Sequence, residues 1–147
     1  MTPVDRFDGS NGRSELHLGT LEQASMRGGR HLYLFEIDPA KTRRIRDRGE
    51  VGKTQCRAAR AAGMDALVYL NRYEGICIES VQNAIDAGIH DRIDSMADRE
   101  FLKWFPEARD SWAILNPEDA RLIASFACLS SARDFTENSE TEGELAL

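Results

Sequence analysis

Apolar residues recur along the chain at two spacings, two residues apart in short stretches and three or four apart in others. The first spacing is typical of half-buried strands and the second of amphipathic helices. The pattern predicts strands at "ELHLGT" (15–20), "HLYLFEID" (31–38), "MDALVYLN" (64–71) and "DSWAILN" (110–116). It predicts helices at "TLEQASMR" (20–27), at "KTQCRAARAAG" (53–63), within 76–104, and at "PEDARLIASFACL" (117–129).

Turn and capping residues mark where these elements begin and end. Thr20 is predicted to cap the first helix, because Gln23 follows three residues later at the spacing of a capping box. Gly63 is predicted to end the second helix, and Pro117 with the acids after it to start the last one. Residues 41–51 have few apolar anchors and are predicted to form a loop. Because strands and helices do not alternate regularly, the pattern favours an α+β fold.

The length of 147 residues is close to the commonest size of a single domain. Residues 1–14 are polar and glycine-rich, and we predict a loose N-terminal segment there. Residues 15–130 are predicted to form one domain. Residues 131–147 are predicted to be an acidic, disordered tail, because the last twelve residues hold four glutamates and no basic residue.

Composition narrows the classes of function. No run of about 18 apolar residues occurs, so we expect no membrane span. The N-terminus lacks the apolar core of a secretory signal, and we expect a cytoplasmic location, in a host cell if the protein is an effector. Three cysteines and three histidines stand at wide spacings without a CxxC pair, which predicts neither a disulfide framework nor a metal site.

Charge is unevenly distributed, although the net charge is −6. Residues 27–60 hold ten Lys or Arg against four Asp or Glu, and this basic segment is the candidate for contact with phosphate. Its alternative is a solvated arginine-rich face. Stacking aromatics are missing between its arginines, so we expect no nucleic-acid partner. The arginines of the segment 43–48 are Arg43, Arg44, Arg46 and Arg48.

Three motifs stand in order along the chain: "LHLGTLEQASMR", "AAGMDALVYLNRYEG" and "DSWAILNPEDARLIAS". Together they resemble the ADP-ribosyltransferase-like domains of phage and mobile-element polyvalent proteins, over about residues 15–125. The resemblance implies a small, split, mostly antiparallel sheet with flanking helices. It also implies that NAD is the substrate and that ADP-ribose is transferred to a macromolecule, such as a host protein.

The resemblance further implies roles for single residues. His17, at the end of the first motif strand, is expected to hold the NAD ribose. Catalytic roles fall on His17, Tyr69, Glu74 and Asp110, and NAD contacts on His17, Gly19, Thr20, Tyr69, Asn71, Tyr73 and Ser111. Tyr69 is a candidate to stack on nicotinamide, with a ring buried in the core as its alternative. Tyr73 is the second candidate for stacking.

The third motif departs from the pattern of the family. Many active relatives have Glu directly before the aromatic residue of this strand, where this chain has Ser111, preceded by Asp110. Strand alternation turns Asp110 to the face opposite Ser111, so Glu74 or Glu79 is the alternative source of a carboxylate. A second hypothesis follows, in which the fold binds NAD, ADP-ribose or a protein without cleaving NAD.

The segment Asn71–Glu74 also has two interpretations. Its polar groups lie at the end of a predicted strand, where a ligand can be held. Alternatively, they form a turn in which Asn71 bonds the backbone and Arg72 pairs with Glu74.

Overall fold

Seven strands and five α-helices are present in the computed structural model, which describes residues 4–8, 15–27, 31–48 and 52–145. The strands are β1 (Val4–Asp8), β2 (Leu16–Leu18), β3 (Leu32–Ile37), β4 (Thr42–Arg44), β5 (Ala66–Leu70), β6 (Asp110–Ile114) and β7 (Ala120–Phe126). The helices are α1 (Leu21–Ser25), α2 (Lys53–Ala61), α3 (Ile78–Asp86), α4 (Asp98–Trp104) and α5 (Leu129–Leu145). Short 3-10 helices span His90–Ser95 and Pro117–Asp119.

The strands form two small sheets. One has the order β1-β3-β7 and is antiparallel throughout. The other has the order β2-β6-β5-β4, in which β4 and β5 run parallel and the other pairs are antiparallel. The prediction of an α+β fold with small sheets and flanking helices is therefore confirmed at this level.

The two sheets share an apolar layer, and helices cover their other faces. Leu18, Ala66 and Ile114 of the four-stranded sheet pack with Ile37 of the three-stranded sheet. On the far side of β3, Leu32 and Leu34 pack with Leu21 and Ala24 of α1 and Ala132 of α5. Strand β3 is thus packed on both faces.

Helices α2, α3 and α4 complete the core around the four-stranded sheet. Cys56 and Ala59 of α2 pack on Leu67 and Ala113, which lie on the face opposite the shared layer. Beyond the end of β5, α3 and α4 enclose a separate cluster in which Phe101 and Phe105 stack with ring centroids 4.5 Å apart. This cluster supports the loop that follows β5.

The helix predicted at residues 117–129 is wrong, because most of this segment forms strand β7. The register of β3 and β7 shifts between Leu34 and Phe35, which face Ala124 and Leu122 respectively, so Ile123 is an extra residue. A bulge of this kind breaks strict alternation. The apolar residues of β7 therefore fall at spacings that imitate a helix, although the backbone is extended.

Three further predictions differ from the structure. Residues Val4–Asp8 of the predicted loose segment form β1, because the backbone of β3 offers them an antiparallel partner; the rest of 1–14 lies outside the described residues. Within the predicted loop 41–51, Thr42–Arg44 form β4 on the edge of β5. The acidic segment predicted to be disordered is helical over Leu129–Leu145, and Ala132 packs into the core near its start.

Candidate functional site

Three of the predicted site residues lie on one face of the four-stranded sheet. Tyr69 of β5 lies opposite Ser111 of β6, and His17 of β2 lies opposite Ala113. Because side chains alternate along a strand, His17, Tyr69 and Ser111 share a face. Asp110 lies on the other face, where both carboxylate oxygens accept hydrogen bonds from Arg44, at 3.0 and 2.6 Å.

A buried polar network joins the segments of this face. Ser111 is fully buried, and its hydroxyl donates to Oε1 of Gln23 at 2.8 Å. The same hydroxyl oxygen accepts from Nδ2 of Asn71 at 3.0 Å. Gln23 also accepts from the backbone N–H of Thr20 and donates to the carbonyl of Arg109, at 2.9 and 3.0 Å. The side chain of Gln23 in α1 thus links three places: Thr20 after β2, Ser111 in β6, and Arg109 directly before β6.

The carboxylate of Glu74 lies at the edge of this network. Asn71 Nδ2 donates to Glu74 Oε1 at 2.9 Å, and Arg27 Nε donates to Glu74 Oε2 at 3.1 Å. Arg27 also donates through Nη1 to the carbonyl of His17. The side chain of Glu74 is 27% exposed, so it contacts both the network and solvent. One guanidinium therefore connects the strand of His17 with the carboxylate of Glu74.

The backbone of residues 71–74 forms the predicted turn. Oδ1 of Asn71 accepts from the N–H groups of Tyr73 and Glu74, at 3.0 and 2.8 Å. The predicted pairing of Arg72 with Glu74 is wrong. Arg72 points into the protein, and its Nη2 donates to Asp98 at 2.9 Å and to the carbonyl of Met96 at 2.6 Å.

Arg72 connects the site to the helices beneath it. Its side chain is fully buried, donates also to the carbonyl of Ile93, and lies 4.9 Å from the ring centroid of Phe101. Its backbone N–H donates to the buried carboxylate of Asp47 at 3.0 Å. The turn that carries Glu74 is therefore held in place by the contacts of Arg72 with the protein interior.

The two tyrosines of the second motif have different environments. Tyr69 is 5% exposed, so its ring lies in the interior, and burial raises the pKa of its hydroxyl to about 12. Tyr73 is 46% exposed. Its hydroxyl hydrogen-bonds Asp94, and this bond raises the pKa of Tyr73 to about 12. In this structure Tyr73 is the one of the two whose ring faces solvent.

Two glycines let the backbone approach Gln23. A Cβ on Gly19 would lie 2.2 Å from Oε1 of Gln23. Gly75 has a φ of +76°, and a Cβ there would lie 3.1 Å from Cγ of Gln23. A half-open pocket of about 270 Å³ borders this contact, lined by Thr20, Glu22, Gln23, Gly75, Glu107 and Arg109.

Glu107 forms the far wall of this pocket and fixes the start of α3. Its carboxylate accepts from the backbone N–H of Cys77 at 3.2 Å and from Ser80 Oγ at 3.0 Å. Burial opposes ionisation of Glu107, but the hydrogen bonds outweigh it, and the pKa of the carboxyl is lower than usual. Glu107 therefore stays charged at neutral pH.

Two residues of the network carry no prediction of function from the sequence. Gln23 is predicted as part of a capping box, which the structure confirms, but its contacts with Ser111 and Arg109 join residues more than 80 positions apart. Arg27 stands in the sequence only as one of many basic residues. Its position as the last residue of the first motif is the one local signal that could have drawn attention to it.

Within the described part of the chain, no helix combines the length and apolar character needed to cross a bilayer. Among the same residues, no group of three or more His, Cys, Asp or Glu converges as a candidate metal site. Comparisons of this chain with protein-family models, with curated proteins and with solved structures find no match.

Proposed function

We propose that the chain is an NAD-dependent ADP-ribosyltransferase-like protein that modifies a macromolecule in the cytoplasm, such as a host protein, and that Glu74 is its catalytic carboxylate. The observation that carries this proposal is the contact of Arg27 with both the carbonyl of His17 and the carboxylate of Glu74. Two of the motifs that resemble the family therefore converge at one point. Asp110, the other candidate carboxylate, is turned away and paired with Arg44.

The reaction needs few protein groups. The bond between the ribose carbon C1′ and the nicotinamide nitrogen breaks, and its electron pair leaves with nicotinamide. An acceptor atom on the target then bonds to C1′ and loses a proton. A fixed carboxylate beside the ribose stabilises the positive charge that develops on the sugar. Glu74 meets this need, because Asn71 and the backbone of its own turn hold it at the protein surface.

Other residues of the face suit the binding of NAD. His17 is half-buried in the middle of β2, on the same sheet face as Ser111. Tyr73 is adjacent to Glu74 in the chain and presents an exposed ring, which favours Tyr73 over the buried Tyr69 for stacking on nicotinamide. Arg27 supplies a guanidinium, the side chain best suited to a phosphate oxygen, beside the same carboxylate.

A matched pair of variants tests the assignment of the carboxylate. Purified protein is incubated with NAD labelled on the adenylate and with a host-cell lysate, and both nicotinamide release and labelled macromolecules are measured. We expect Glu74→Gln to lower nicotinamide release by about 10²- to 10³-fold. Asp110→Asn is the control and keeps the rate of the parent. A loss of activity in Asp110→Asn with retention in Glu74→Gln would contradict the proposal.

A second candidate is a module that binds NAD, ADP-ribose or a protein without cleaving NAD. The ion pair of Glu74 with Arg27 favours it, because a neutralised carboxylate is a weaker stabiliser of a cation. Calorimetry with NAD separates the two candidates. Binding without nicotinamide release, unchanged in Glu74→Gln, supports the module, and the absence of both binding and release contradicts the transferase and a module that binds NAD.

A further inference from the structure

Helix α3 exposes a continuous apolar stripe to solvent. Ile78, Val81 and Ile85 are 83%, 41% and 46% exposed, while Ser80 and Ala84 of the same helix are buried. At about 100° per residue, the three exposed side chains fall within an arc of roughly 60°. Apolar side chains grouped on one face of a surface helix are typical of an interaction site rather than of scattered surface residues.

The surroundings of the stripe are acidic. Between residues 78 and 86 the helix carries Glu79 and Asp86 and no Lys or Arg. Glu22 and Glu107 line the pocket at the start of the same helix. Arg109, the one basic residue of that lining, donates to the carbonyls of Pro106 and Ala108, both at 2.8 Å.

The stripe begins three residues after the pocket along the chain. Gly75 lies in the pocket wall, and its N–H contacts the sulfur of Met26 at 3.0 Å. Met26 is itself exposed and apolar, and Ile78 begins α3 three residues after Gly75. Met26 and the pocket therefore lie near the start of α3, and at 100° per residue Glu79 and Asp86 flank the stripe on the side of Ile78.

The negative charge of this surface favours a basic partner over a second copy of the chain. A second copy of the chain, packed through α3, would bring Glu79 and Asp86 against their own counterparts, and like charges at close range oppose that contact. A segment with apolar residues at helical spacing and Lys or Arg beside them matches both the stripe and its border.

We propose that α3, with Met26 and the acidic pocket at its start, docks a basic amphipathic helical segment of a partner protein. The apolar side of that segment lies on Ile78, Val81 and Ile85, and its basic side chains face Glu79, Asp86 and Glu107. The inference does not depend on NAD chemistry, because docking requires neither Glu74, the proposed catalytic carboxylate, nor His17, Arg27 and Tyr73, which are proposed to hold NAD beside it.

Fluorescence anisotropy with defined peptides tests the proposal. The probe is a fluorescein-labelled peptide of leucine and lysine, with leucine at helical spacing. Two comparison peptides replace lysine by glutamate, or leucine by serine. We expect saturable binding of the first peptide that weakens at high salt, and no binding of the other two. Equal binding of the glutamate peptide, or no saturable binding of the lysine peptide, would overturn the proposal.

Two variants locate the bound peptide. The double variant Ile78→Ser with Ile85→Ser is expected to weaken binding by about tenfold or more, and Glu79→Lys with Asp86→Lys by about threefold to tenfold. Leu122→Ser and Glu118→Lys are the matched controls, because both residues are exposed on another part of the surface. A loss in the controls equal to that in the α3 variants would show non-specific adhesion and refute the site.

Two other occupants are checked with the same variants. Light scattering measures whether the protein is a dimer that Ile78→Ser with Ile85→Ser converts to a monomer, and flotation measures binding to neutral phosphatidylcholine vesicles. We expect neither a dimer through α3 nor vesicle binding. A dimer broken by the double variant, or vesicle binding lost in it, would replace the partner segment by a second copy or by a bilayer.

Discussion

The guanidinium of Arg27 contacts the carboxylate of Glu74, with Nε 3.1 Å from Oε2, although the two residues are 47 positions apart. The pair joins the end of α1 to the turn after β5, and Arg27 extends the link to the carbonyl of His17. Because both side chains are largely removed from water, loss of Arg27 leaves the carboxylate of Glu74 without its positively charged partner.

We therefore expect Arg27→Met to lower the free energy of unfolding by about 1–2 kcal/mol. Urea-induced unfolding, followed by circular dichroism, measures the change. Arg121→Met is the control, because Arg121 pairs with Glu36 at 2.9 Å on the exposed surface and should contribute less than about 1 kcal/mol. A larger effect for Arg121→Met than for Arg27→Met would contradict this explanation.

The hydroxyl of Ser111 stabilises two buried amide side chains at once. It donates to Gln23 and accepts from Asn71, and all three residues are almost completely buried. Ser111→Ala should lower the free energy of unfolding by about 1–3 kcal/mol, because both amides lose a partner that water cannot replace. Ser125→Ala, at an exposed site of β7, should change it by less than about 0.5 kcal/mol in the same unfolding experiment.

Local sequence was sufficient for the elements that contain their own start and stop signals. Helix α1 has its capping box at Thr20 and Gln23, and α2 is followed by Gly63 at a φ of +78°. Strands β1, β4 and β7 lack such signals. They are strands because a neighbouring strand offers backbone partners, and the bulge at Ile123 hides the alternation of β7.

In the candidate site, too, the sequence predicted local features but not contacts between distant residues. One of the two interpretations of the sequence put Asn71 and Glu74 in a turn, and strand alternation separated Asp110 from Ser111. That interpretation also paired Glu74 with Arg72, two residues away. In the folded chain, Glu74 instead forms an ion pair with Arg27, and Arg72 forms one with Asp98. Which of two guanidiniums reaches a carboxylate depends on the packing of α1 and α4, and no local pattern contains that information.

Arg72 ties the turn of the site to α4 and to the 3-10 helix His90–Ser95. Its buried guanidinium donates to Ile93, Met96 and Asp98. Arg72→Met should lower the free energy of unfolding by about 3–5 kcal/mol, because it leaves buried acceptors unpaired. Arg57→Met, on the exposed side of α2, should change it by less than about 0.5 kcal/mol. Chemical unfolding of both variants checks the difference, and equal effects would contradict it.

Tyr69 should make stability fall in alkaline solution. Burial raises the pKa of Tyr69 from an ordinary value of 10.0 to about 12 in the folded protein. Its contribution is therefore complete below pH 10 and is lost as the pH rises through about 12, because the unfolded chain releases the proton first. Unfolding free energies measured between pH 9 and about 12 should decline more steeply for the parent than for Tyr69→Phe. Parallel curves for the two proteins would contradict the assignment.

Cys128 is expected to be the most reactive thiol toward alkylation at neutral pH. Hydrogen bonds from Ser130 and Ser131 lower its pKa to about 7, and its side chain is exposed just before α5. The thiolate is the reactive form, so half of Cys128 is ionised near pH 7. Mass spectrometry after brief iodoacetamide treatment should show modification first at Cys128, with the buried Cys56 protected. Replacing both serines by alanine should move the midpoint of the rate-against-pH curve upward, and an unchanged midpoint would show that the serines are not the cause.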